Sequence, residues 1–194
     1  MPNSSLILAS SSPFRKELLS RLHLPFNSIS PDIDETHLAG ESPEQYVSRL
    51  AFEKAQVIAK NNDSTVIIGS DQCAYLNGKI LGKPGSHENA VKQLRQARGQ
   101  EVVFYTGLCV MQLSTGFSEV DCIQYKVGFR ELTYDQIEHY LITEKPYNCA
   151  GSFKSEAYGI SLFSYMSGDD PTSIVGLPLI RLITMLEAAG IKVI

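Results

Sequence analysis

Leu6-Ile7-Leu8-Ala9-Ser10-Ser11-Ser12-Pro13-Phe14-Arg15 is the stretch that decides the fold. Four apolar residues without alternation read as a strand covered on both faces. Three serines and a proline then read as the start of a helix, predicted to run to about Leu22, because proline suits the first helical turn. A doubly covered strand feeding a helix is how an α/β protein begins. The same ten residues crowd hydroxyls, a ring and a cation into one turn. A capped polar loop accounts for them, and so does an anion site with a ring beside it.

The pattern recurs further along. Ser42-Pro43-Glu44-Gln45 carries a serine cap, a proline at the first position and a glutamine at the capping-box position, so a helix is predicted to about Lys60. Val66-Ile67-Ile68 reads as a second buried strand, stopped by Gly69, with Ser70-Asp71-Gln72 in the turn beyond it. Ser86 opens a helix that ends near Gly99. Glu101–Leu113 and Glu119–Glu131 are rich in Val, Tyr, Phe and Cys and flank Ser114-Thr115-Gly116, which predicts long antiparallel strands. Thr133–Thr143 is a helix with a T-x-x-Q capping box, and Leu177–Ala189 an apolar helix with Gly190 in the stop position. The fold class is α/β with a mixed sheet. Ligands in such sheets sit beyond the carboxyl ends of strands.

The 194 residues suffice for one sizeable core, and no Pro/Gly/Ser-rich linker or charge run divides them, so a single domain over residues 1–194 is expected. A net charge of -4 argues against a general nucleic-acid binder but permits a local basic pocket. The apolar stretch at the N-terminus is only Leu6–Ala9, neither a signal peptide nor a membrane span. Cys73, Cys109, Cys122 and Cys149 are widely spaced among apolar neighbours, which reads as reduced thiols in a cytoplasmic protein rather than a zinc site. His23, His37, His87 and His139 show no metal-ligand spacing. There is no G-x-x-x-x-G-K-[ST], G-x-G-x-x-G, H-E-x-x-H or G-x-S-x-G.

Several polar residues stand where apolar ones are expected. Lys54 lies seven residues after Val47 and four after Leu50, on the apolar stripe of its helix. Either its stem packs while its ammonium reaches solvent, or it points at an anion. Asp71 follows a buried strand, where a turn cap and a catalytic carboxylate are both in character. Gly82-Lys83-Pro84-Gly85 is a stiff turn carrying a cation. Asp32, Asp34 and Glu35 form an acidic loop, and Mg²⁺ is commonly held by one or two carboxylates plus substrate phosphates. Taken together, Ser10, Ser11, Arg15, Lys54 and Lys83 suit phosphates, and Glu35 and Asp71 suit a metal or a water: a phosphate-binding hydrolase.

A-S-S-S-P-F-R-K, D-E-T, E-S-P, the A-x-E-K-A segment Ala51–Ala55, G-S-D-Q and G-K-P follow one another in an order that resembles the Maf family of nucleoside triphosphate pyrophosphatases. Ala150–Gly159, A-G-S-F-K-S-E-A-Y-G, is similar to the branch acting on 7-methyl-GTP rather than to the dTTP/UTP branch. The resemblance implies an elongated, twisted mixed sheet flanked by helices, with two lobes around a deep cleft. It also implies a divalent cation, Mg²⁺ or Mn²⁺, held by Glu35 and Asp71, and hydrolysis between the α- and β-phosphates of a small nucleotide. Asp71 would be the catalytic proton acceptor. Ser10, Ser11, Arg15, Lys54 and Lys83 would bind substrate, and Phe14, Gln72 and Glu156 would select the base. No nucleic acid or membrane partner is implied, and a homodimer is admitted. The family commonly has two arginines where this chain has Arg15 and Lys16; lysine keeps the charge but loses the bidentate fork. Competing readings are a dTTP/UTP pyrophosphatase, a non-catalytic nucleotide-binding regulator of cell division and a protein-only interaction module.

Overall fold

A computed structural model describes residues 6–194. The opening strand and helix form as read: β1 (Leu6–Ala9) is fully buried, and α1 (Pro13–Ser20) starts on Ser12, whose side chain accepts from the Arg15 amide. The short strand β2 (Asn27–Ile29) follows, then α2 (Pro43–Ala59), where the capping box closes in both directions between Ser42 and Gln45. Next come β3 (Val66–Leu76), β4 (Lys79–Leu81), α3 (His87–Ala97), β5 (Glu101–Gln112) and β6 (Phe117–Phe129). The chain ends with α4 (Tyr134–Glu144), capped by a Thr133–Gln136 box, β7 (Phe163–Ser167) and α5 (Leu179–Ala188). Among the described residues no helix is long and apolar enough to cross a membrane.

The strand order is β2-β1-β3-β5-β6-β7, with β4 pairing β3. β1 runs parallel to both β2 and β3, whereas β4 is antiparallel to β3 and β7 to β6, so the sheet is mixed. The expectation that Gly69 ends its strand is corrected here. β3 runs on through Gly69, Ser70, Asp71 and Gln72 to Leu76. A Cβ at position 69 would lie 2.1 Å from the Ala51 carbonyl oxygen and 2.9 Å from the Ala55 amide nitrogen. The glycine is there because the backbone of α2 lies directly on the strand.

The chain packs into two compact units. Among the described residues, the first comprises 6–71, 106–123 and 170–194, the second 72–105 and 124–169. Both boundaries of the second unit's first segment, and one more, fall inside β3, β5 and β6, so no linker composition marks them. In the first unit, side-chain alternation sorts two aliphatic cores. Leu6, Leu8, Val66 and Ile68 pack with Leu18 and Leu19 of α1 and Leu182, Met185 and Leu186 of α5. Ile7, Ala9 and Ile67 pack with Ala51, Ala55 and Ile58 of α2 on the opposite face. The second unit is centred on rings: Phe153 meets Phe104, Phe129 and Phe163 edge-on, at centroid distances of 5.3, 5.6 and 4.8 Å.

Candidate active site

The face of β3 that meets α2 carries Ile67, Gly69 and then Asp71, two residues apart each time. Lys54 sits on the stripe of α2 that runs Val47, Leu50, Ala51, Lys54, Ala55 and Ile58. It is buried, at 6% exposure, so the solvent-reaching alternative does not apply. Its Nζ lies 2.6 Å from Asp71 Oδ1 and 2.6 Å from Glu35 Oε1. One buried ammonium thus gathers two carboxylates, one from a strand and one from a loop.

The loop bearing Glu35 is strapped to α2. Tyr46 Oη donates to the Glu35 carbonyl at 3.0 Å, and Arg49 Nη2 to the Thr36 carbonyl at 3.1 Å. Arg49 also grips Glu41 through Nε and Nη2, at 2.6 and 2.9 Å. Asp34 accepts from both the amide and the hydroxyl of Thr36, which holds its carboxyl below the usual carboxylate range. Both bonds fall on Oδ1, which ties Asp34 into the turn.

Arg15 projects from α1 into the same electrostatic neighbourhood. Burial pulls its guanidinium below its ordinary value, opposed by the charges of Asp71 and Glu35, and a guanidinium remains protonated regardless. Its Nε donates to the Gly176 carbonyl at 2.7 Å, and Ser70 Oγ donates to the same oxygen at 2.9 Å. Gly176 has φ +114, a conformation few side chains adopt, and a Cβ there would press on Arg15 Nε. Nearby, Ser10 is buried, accepts the Ser12 amide on its hydroxyl and the Ser28 hydroxyl on its carbonyl. Ser11 is exposed and Phe14 half-buried. Four of the residues picked from sequence, Arg15, Glu35, Lys54 and Asp71, are therefore one charge cluster.

The remaining candidates belong to the second unit. Gln72 is its first residue, half-buried on β3. Lys83 is exposed in the loop after β4, and Glu156 is exposed, accepting from Ser155 Oγ at 3.2 Å. Both Lys83 and Glu156 act electrostatically on the Cys149 thiol, which burial pushes up. Lys154, two residues before Glu156, is engaged with Glu144 at 2.8 Å, which raises its pKa.

Sequence reading passed over Ser70, Gly176 and Asp170. Asp170 is buried, accepts from the amide and hydroxyl of Thr172 through Oδ1 and from the Ile180 amide at 2.7 Å through Oδ2, and so fixes the loop that delivers the Gly176 carbonyl. The signal available was D-D-P-T, a turn composition ahead of the last helix.

The donor set suits a hard divalent cation. Asp71 and Glu35 are hard oxygen donors brought to the same ammonium, each 2.6 Å from Lys54 Nζ. No cluster of three or more His, Cys, Asp or Glu side chains exists among the described residues, so such an ion would take its other ligands from phosphate and water.

The family model for Maf-like proteins matches residues 5–189. The chain belongs to the Maf family. Among curated Maf relatives, the proteins of Polaromonas sp., Pseudomonas syringae pv. tomato and Albidiferax ferrireducens are 55%, 54% and 52% identical. The matches cover 96%, 97% and 97% of this chain and 85%, 98% and 95% of theirs, and each relative is named 7-methyl-GTP pyrophosphatase. Among solved structures, the Ham1 protein of Staphylococcus aureus aligns at a TM-score of 0.47 and 17% identity, over 79% of this chain and 88% of its own.

Proposed function

We propose that this Maf protein is a hydrolase that cleaves the α–β phosphate bond of 7-methyl-GTP, releasing 7-methyl-GMP and diphosphate in the cytoplasm. The observation that carries the reading is the buried Lys54 held between Asp71 and Glu35, in a chain whose full-length relatives bear that activity in their names. Mg²⁺ or Mn²⁺, held by Glu35 and Asp71, would supply charge to the substrate phosphates.

The residues divide the work. Water attacks the α-phosphorus, the bond from phosphorus to the bridging oxygen breaks, and the water proton passes to the Asp71 carboxylate. Lys54 holds that carboxylate in place through its 2.6 Å contact. Arg15, pinned through Nε to Gly176, leaves its two Nη groups to meet phosphate oxygens as charge builds on the leaving group. Ser10 and Ser11 bind phosphate beside the start of α1, and Lys83 adds a further cation. Guanine offers N1–H and N2–H donors that one carboxylate accepts together, a role for Glu156, while the charged 7-methylated ring suits the face of Phe14. Gln72 completes the base contacts.

Asp71→Asn is isosteric and retains a contact for Lys54, so the variant should fold. Turnover of 7-methyl-GTP should fall roughly 10³-fold while KM changes little, as expected for loss of a general base. Turnover within threefold of wild type would remove Asp71 from that role.

A further inference from the structure

Gln93 lies on α3 and has no place in the chemistry above, yet its amide is used at both ends. Nε2 donates to the Gly82 carbonyl at 3.0 Å, and Oε1 accepts from Ser152 Oγ at 2.5 Å. A backbone carbonyl only accepts, so Gly82 fixes the nitrogen end and leaves the oxygen for the serine. Glutamate could serve Ser152 but not Gly82, and methionine neither. The Gly82 side of the bridge precedes Lys83, and its loop is braced again by Asn89 Nδ2 on the Pro84 carbonyl and by the Gly85 amide on the Tyr147 carbonyl.

The Ser152 side is a segment that needs holding. Ser152 is buried with φ +65 and follows Gly151 at φ +72. An L residue persists there only when its surroundings over-determine it. Four residues further on comes Glu156. One side chain therefore ties the loop of the proposed phosphate cation to the segment of the proposed base reader.

We infer that Gln93 is a positioning residue that holds the Lys83 loop and the Glu156 segment in a single arrangement, so that phosphate grip and base selection depend on each other through it. The inference rests on the roles assigned above to Lys83 and Glu156. The expected signature separates the two arms. Gln93→Met speeds amide hydrogen exchange at residues 82–85 and at 150–157. It also lowers kcat/KM for 7-methyl-GTP about tenfold, mainly through KM, and UTP less, so selectivity narrows.

Gln93→Glu, the milder variant, keeps the serine bond. It loosens residues 82–85 alone and raises KM for both triphosphates alike. Ser152→Ala loosens residues 150–157 alone and narrows selectivity, with no further effect when added to Gln93→Met. A merely structural role would lower Tm and the active fraction, leaving KM and selectivity at wild-type values, and that result overturns the inference. So does Gln93→Met exchange that rises in only one of the two segments. A wild type that cleaves no nucleoside triphosphate, with both segments still loosened together by Gln93→Met, overturns the proposed function instead.

Discussion

The two units carry their candidate residues in opposite ways. In the first, Asp71 stands in a strand, Lys54 on a 17-residue helix and Arg15 on α1, and the first two are buried over aliphatic side chains packed on both sheet faces. In the second, Lys83 and Glu156 are exposed on loops, held by hydrogen bonds such as those of Gln93 and by the Lys154–Glu144 ion pair. The difference teaches which candidate residues tolerate change. Groups that move a proton or offset charge need fixed distances, which close packing provides. Groups that read a base can ride on loops whose sequence varies without cost to the core.

The comparison breaks most readily at glycine. Gly69→Ala would force a Cβ to within 2.1 Å of the Ala51 carbonyl oxygen and 2.9 Å of the Ala55 amide, and neither backbone can yield without moving α2 off β3. Overpacking of this kind should cost about 3 kcal/mol, roughly 10 °C in Tm, and should lower turnover as Asp71 shifts against Lys54. Gly82→Ala in the second unit meets nothing within 4 Å and should change Tm by about 1 °C at most. Thermal melts of the two variants check this; equal shifts would erase the distinction between the units.

Much of this architecture was legible in the sequence because local signals and global packing agree. Both capping boxes close as written, at Ser42–Gln45 and Thr133–Gln136, because side chain and backbone satisfy each other within one turn. Lys54 was visible because a charge on an apolar stripe breaks the helical period. Gly69 misled because a glycine in a strand can mark either a break or a close backbone approach, and only the position of α2 decides between the two. The short strands β2, β4 and β7 have three to five residues each and no clear alternation. The unit boundaries cut through continuous strands, so composition does not change there. Ser70 and Gly176 were invisible because their partners lie 106 and 161 residues away, and the Asp170 contact to Ile180 spans 10 residues. The Gln93 bridge spans 11 residues on one side and 59 on the other, beyond any local pattern.

A smaller effect tests the loop side of the comparison. Glu156→Gln keeps the shape of an exposed side chain but replaces one acceptor oxygen with a donor and removes the countercharge. Preference for 7-methyl-GTP over UTP, as a ratio of kcat/KM, should fall roughly tenfold, about 1.4 kcal/mol, while Tm and UTP turnover stay at wild-type values. Steady-state kinetics on both triphosphates measure it, and an unchanged ratio would take base reading away from this loop.

The smallest effect sharpens the contrast in how loops are tied down. The acidic loop of the first unit is held by charge. Hydrogen bonding from Arg49 depresses the Glu41 carboxyl below its ordinary 4.5, helped by the Leu38 amide and opposed by burial. With the folded pKa below the unfolded one, the unfolded chain binds more protons in this range, so stability rises with pH. The Glu41 contribution is complete above about pH 4.5 and is lost as pH falls through the folded pKa. Glu41→Gln should therefore flatten the acid limb of the stability curve below pH 4.5 and leave its slope above pH 6 unchanged, measured by urea midpoints across pH. Gln93→Met removes neutral hydrogen bonds and should displace the curve by the same amount at every pH. If the two variants shift the curve in parallel, the Glu41 and Gln93 contacts act by the same kind of force and the contrast between them fails at this point.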